Sequence, residues 1–155
     1  MAATAWQLYN TAKRYIGNGT IELGAGNFKM ALFTSASNTS TFTLSTFGSL
    51  TNQISATGGY VSGGKALVPA TGQWTTGASA KQMKFTYSTV GLTFTASGSA
   101  LTNVKYAVLT HAASAGGGSA RKLLCFCQLS SSQFTVSSPN TLTVLPAGSG
   151  VFTLA

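Results

Sequence analysis

Aspartate is absent from the 155 residues, and the only glutamate is Glu22. Histidine also occurs once, as His111. Acid–base and nucleophilic catalysis need positioned titrating groups. A paired-carboxylate site is therefore excluded, and a Ser-His-acid triad has only His111 and Glu22 to draw on. A zinc site of three or four ligands would have to use Cys125, Cys127, His111 and Glu22. The two cysteines share a strand alternation that reads as core. No enzymatic activity, metal or other cofactor is expected. His111, at a strand end, reads as an ordinary loop residue, and Glu22 as a helix-exit or loop salt-bridge partner.

Other scarcities bound the class. Charged residues make up 6% of the chain, against about 25% in a typical soluble domain. No stretch approaches the roughly 20 apolar residues of a membrane span. Met1–Ala5 has no charged n-region followed by an apolar run, so no secretory signal is read. The expectation is synthesis in a reducing cytoplasm with no membrane partner. Cys125 and Cys127, two apart on a strand, point to one face with Cα atoms about 6.5–7 Å apart, at or beyond disulfide reach.

What fills the chain is serine, threonine and glycine, with 19, 23 and 18 copies. Threonine favours strands, and serine and glycine favour turns. A hydrophobic content of 44% is enough to build a core, and the length fits one domain of about 100–200 residues. The net charge is +8, from nine scattered Lys and Arg and the single acid. Such a balance attracts an acidic surface, whether nucleic acid, anionic lipid or protein.

Residues 4–16 predict a helix, with Thr4 as cap and Gln7 completing a capping box. Ala5, Leu8, Ala12 and Tyr15 form its apolar stripe. Gly17-Asn18-Gly19 ends it. From Phe28 the period changes to two. Strands are predicted within 28–33, 42–47, 53–57, 60–68, 82–87, 90–95, 103–110, 122–130, 134–137, 141–145 and 151–154. The core is predicted at Phe28, Met30, Leu32, Phe85, Leu92, Phe94, Tyr106, Val108, Cys125 and Cys127. Ser35–Ser40 reads as a polar, mobile loop and Ala112–Ala120 as a flexible Gly-rich one. Gly63-Gly64 marks a bulge or a close backbone approach. Together these predict an all-β fold: an antiparallel, jelly-roll-like β-sandwich of about eight to ten strands. It forms one domain over 1–155, with a helical segment at 1–19 and the sandwich at 27–155.

The strands Lys29–Thr34 (KMALFT), Gly59–Leu67 (GYVSGGKAL), Lys105–Thr110 (KYAVLT) and Gly148–Leu154 (GSGVFTL), read after an N-terminal helix, resemble small virion proteins of tailed bacteriophages. Some of these are capsid cement, or head decoration, proteins with jelly-roll-like folds. The chain departs from the pattern where Lys105–Thr110 runs into His111-Ala112-Ala113; many relatives have an aspartate-containing turn there. The resemblance implies a non-enzymatic subunit on the capsid exterior. It would bind the phage's major capsid protein, brace the head against packed DNA, and form a homo-oligomer (a dimer or trimer). A tail or fibre component, or a glycan-binding sandwich with Trp6, Trp74 and Tyr60 as platforms, is the alternative. Direct nucleic-acid binding is not expected, because no recognised binding motif is present. Candidate interface residues are Trp6, Tyr9, Lys13, Arg14, Asn38, Trp74, His111 and Arg121.

Overall fold

A computed structural model describes residues 3–24, 27–67, 74–77, 81–88, 90–111 and 118–154. In chain order these form β1 (Gln7–Leu8), α1 (Asn10–Gly17), β2 (Phe28–Phe33), β3 (Lys65–Ala66), β4 (Trp74–Thr76) and β5 (Met83–Phe85). They continue with β6 (Leu92–Thr95), β7 (Leu101–Val104), β8 (Tyr106–His111), β9 (Lys122–Gln128), β10 (Phe134–Val136), β11 (Thr141–Val144) and β12 (Phe152–Leu154). The strand pairs are antiparallel. The fold is all-β and sandwich-like, with one short α-helix and a 3-10 turn at Phe47–Ser49 among the described residues.

The central sheet has the order β1-β9-β8-β2-β3. Its middle strands are apolar almost without a break: Ala107, Val108, Leu109, Leu123, Leu124 and Cys125 have no exposed surface. Continuous apolar runs of this kind belong to strands covered on both faces. On the inner face, Phe28 lies 4.9 Å from Phe85, and Phe85 stacks on Phe152 at 5.3 Å. The second layer is built in three pieces, β12-β5-β4, β11-β6 and β10-β7. Tyr87 links two of them by donating its hydroxyl to the Val144 carbonyl at 3.0 Å. On the outer face, Tyr9 and Phe42 cover Phe126 at 5.2 and 5.5 Å, and Phe47 covers Phe33 at 6.0 Å.

The N-terminal segment differs from its expected form. The helix begins at Asn10, not Thr4, and Tyr9 at its N-cap makes no side-chain cap bond. Gln7 and Leu8 instead pair with Phe126 and Cys125. The Thr4 hydroxyl accepts the Gln128 amide at 3.0 Å rather than capping a helix. The exposed edge of β9 offered backbone donors and acceptors, and pairing with it outweighed a weak local helix preference.

Ser35–Ser40 also departs from expectation, because this loop is braced. Asn38 donates from Nδ2 to the Ser49 carbonyl and accepts the Thr51 amide at Oδ1, both at 2.9 Å. Thr39 is fully buried, and its carbonyl accepts the Tyr9 hydroxyl at 2.8 Å. Residues 42–47 and 53–57 form turns and isolated bridges in place of the predicted strands. The Gly63-Gly64 expectation holds. Gly64 has a φ of +81°, and a side chain there would collide with the Met30 carbonyl, so β3 reaches β2 only with glycine at this position. Most of Ala112–Ala120 lies outside the described residues.

The predicted core residues are buried, apart from Tyr106, which is half-buried. Phe85 sits at the centre of the aromatic contacts joining the layers. Phe85→Ala is expected to cost about 3–5 kcal/mol in urea-induced unfolding. A loss below about 1 kcal/mol would mean that the layers are not joined there.

Candidate interaction surface

Several residues that the sequence marks as interface candidates are used inside the fold. Tyr9 is fully buried against Phe126. Burial raises its pKa, with the nearby Cys125 adding to the effect. Asn38 is half-buried and its amide is spent on the loop it braces. Trp74 opens β4, and its ring centroid lies 6.4 Å from that of Phe152. Tyr9 is corrected to a core residue, while Asn38 and Trp74 take structural roles and keep part of their surface exposed.

Arg121 is corrected in the same way. It is 5% exposed, with its guanidinium 4.1 Å from the Phe47 ring centroid. Nε donates to the Gly118 carbonyl at 3.0 Å, and Nη1 donates to the Gly63 carbonyl at 2.8 Å. Burial lowers its pKa, and Tyr60 opposes this. The cation ties three turns together without a carboxylate. Carbonyl dipoles and an aromatic face compensate its desolvation in place of an ion pair.

His111 lies on β8, not in a loop, and is 2% exposed. Its ring sits 4.9 Å from Phe28, and neither ring nitrogen has a hydrogen-bond partner among the described residues. Burial lowers its pKa, with the charge of Glu22 acting the other way. The neutral ring is therefore the form that the fold accepts. Cys125 and Cys127 are buried free thiols with raised pKa values, the latter about 12. Among the described residues, no group of three His, Cys, Asp or Glu is placed to hold a metal ion.

The residues that do face outward are Lys13 and Arg14 on α1, with Trp6 half-buried beside the N-terminal strand. Trp6 lines a groove of about 580 Å³ between Ala3–Trp6, Leu129, Phe134 and the 142–151 segment. A smaller slot of about 280 Å³ separates β3 from β6, floored by Tyr60 and Phe94. Lys65 spans it, donating to the Thr93 carbonyl at 2.8 Å.

The sequence reading missed the grouping of Arg14 and Lys122 about the Tyr15 ring. The Arg14 guanidinium lies 5.2 Å from the Tyr15 ring centroid, and Lys122 Nζ lies 5.1 Å from the same centroid. The contact of α1 with β9 brings them together, across a separation in sequence that no local spacing reveals. No protein family, curated protein or solved structure matches the chain. Among the described residues, no helix is long and apolar enough to cross a membrane.

Two measurements check these roles. Arg121→Lys keeps the charge but loses the fork that grips two carbonyls, and should cost about 1.5–3 kcal/mol in urea unfolding. A neutral result would show that the grip is dispensable. For His111, the unfolded chain has the ordinary pKa of about 6.5 and the folded chain a lower one. As pH falls through about 6.5, the unfolded state takes up the proton first, so stability declines toward acid. His111→Leu should flatten the stability profile between about pH 7 and pH 5. An unchanged slope would assign the acid sensitivity elsewhere.

Proposed function

We propose that the chain is a non-catalytic structural subunit of a phage particle: a capsid cement protein that docks on the outside of the head and stabilises it. The imbalance of charge carries this reading. Nine cations face a single acid in a chain with 6% charged residues. Such a surface is cheap to desolvate, and its field has one sign. Opposite charge on a shell would speed docking and set orientation, while apolar and backbone contacts would supply affinity. Phe42, Val61, Val90 and Leu145 are large apolar residues left exposed. Avidity between neighbouring copies, as a dimer or trimer, would make weak single contacts long-lived.

The chain's own residues also weigh against the glycan-binding alternative. Of the three proposed platforms, Tyr60 is 5% exposed and offers no ring face, and half-buried Trp74 packs its ring against Phe152.

The test mixes purified protein with salt-stripped heads, with free tails and with duplex DNA. Cement activity predicts saturable, symmetric loading on heads and greater head survival on heating. Labelled tails with bare heads would make the protein a tail component. Binding to the duplex that weakens steeply with salt would make it a nucleic-acid binder. Heads that stay bare at every salt concentration would end the cement reading.

A further inference from the structure

Arg14, Tyr15 and Lys122 form the one place where two cations share an aromatic ring among the described residues. The cations that find internal acceptors are Lys65, Lys84 and Arg121, each donating to backbone carbonyls. Arg14 and Lys122 have no such acceptor among the described residues, so their donors remain open. With the Arg14 guanidinium 5.2 Å and Lys122 Nζ 5.1 Å from the same centroid, the two charges are within reach of successive carboxylates of one acidic segment, which would offset their like charge. The site also has a firm base. Ala12 of α1 is fully buried, the Tyr15 carbonyl accepts the Ile21 amide at 2.9 Å, and Thr46 pairs with Lys122. Lys13, exposed on the same helix, adds a third positive charge nearby.

We propose that Arg14, Tyr15 and Lys122, with Lys13 at the rim, form a docking site for a short acidic segment of a protein partner, whose carboxylates bridge the two cations. The planar guanidinium of Arg14 suits bidentate contact with a carboxylate, and Lys122 supplies a point charge beside it. A second copy of this chain does not fit, because each copy carries +8 and offers only Glu22. Nucleic acid fits less well than an acidic peptide. A phosphate backbone calls for a run of cations, and the remaining lysines are dispersed: Lys29 is on β2, Lys65 on β3, Lys81 in the turn before β5, Lys84 on β5, and Lys105 between β7 and β8. The inference rests on the reading above that the chain docks on an acidic assembly partner, and names the face that meets it.

The test titrates the full chain with a hexaglutamate peptide, followed by backbone amide NMR. Saturable shifts should centre on residues 13–16 and 121–123. R14E/K122E should weaken binding by about tenfold or more, whereas K29E/K81E, with the same change in net charge, should weaken it by less than about threefold. Milder R14Q/K122Q, checked for an unchanged melting temperature, should show the same order. Equal weakening by the two charge-reversal pairs would reduce the effect to net charge and overturn the site. A short DNA duplex that displaces the peptide and shifts the same amides more tightly would overturn the choice of partner. Head loading separates the two levels of the argument. Heads that load R14E/K122E as well as the unaltered chain would sink this site and leave the cement reading intact. Peptide binding at Arg14 and Lys122 by a chain that loads no heads would sustain the site and remove the cement reading.

Discussion

The pairing of β8 with β9 puts two strands out of reach of water on both faces, from Ala107 to Leu109 and from Leu123 to Cys125. A sheet in that position needs a cover on each side. The inner cover is the aromatic line from Phe28 through Phe85 and Phe152 to Trp74. The outer cover is α1 and the loop after β2, through Tyr9, Phe42 and Phe47. The helix therefore serves as a lid on β9, and its position follows from the sheet. This also explains why the short second layer can be divided into three pieces, since each piece needs only to cover part of a continuous apolar surface.

The few polar groups drawn into this interior are handled individually. Arg121 is held by carbonyls and a ring, Tyr60 accepts the Leu32 amide and the Gln53 side chain, and Tyr87 finds Val144. In a chain with one acid, buried cations have no carboxylates to pair with, so backbone carbonyls take that place. The Thr75 hydroxyl finds no partner among the described residues, and neither does His111, buried beside Phe28 with both nitrogens unpartnered. It is tolerated because a neutral imidazole costs far less to bury than a charged one.

Much of the fold was legible in the sequence because its signals are local. Alternation in 82–87 and 141–145 and the apolar run in 122–130 mark strands that exist as β5, β11 and β9, and all but Tyr106 of the predicted core is buried. What stayed hidden depends on distant pairing. Gln7 and Leu8 carry a helical pattern, and only the free edge of β9 makes them a strand. Trp74 sits among glycine and threonine, and only β5 makes it strand. The polarity of Ser35–Ser40 suggested mobility, but Asn38 and Thr39 spend that polarity on internal bonds. The site was half legible: Lys13 and Arg14 stand out as a basic pair, but nothing near them in the chain points to Lys122. Tyr9, Asn38, Trp74, His111 and Arg121 have side chains typical of interfaces, yet those same aromatic and donor groups are what a core short of charge uses to close itself.

The division of the cations into two populations gives the surface its direction. Lys65, Lys84 and Arg121 spend donors on the protein's own backbone, and thereby lock turns and strand edges. Among the described residues Arg14 and Lys122 do not, and both lie against the Tyr15 ring. A net charge of +8 opposes the close approach of copies within a screening length of about 8–10 Å, which would disfavour mutual contact of exposed residues such as Val90 and Leu145. An acidic partner would cancel part of that charge where it binds. Neighbouring copies could then approach closely enough for their apolar residues to meet. On the proposed reading, the excess of positive charge thus does two things: it guides the chain to its partner, and it withholds lateral contact until the partner is bound.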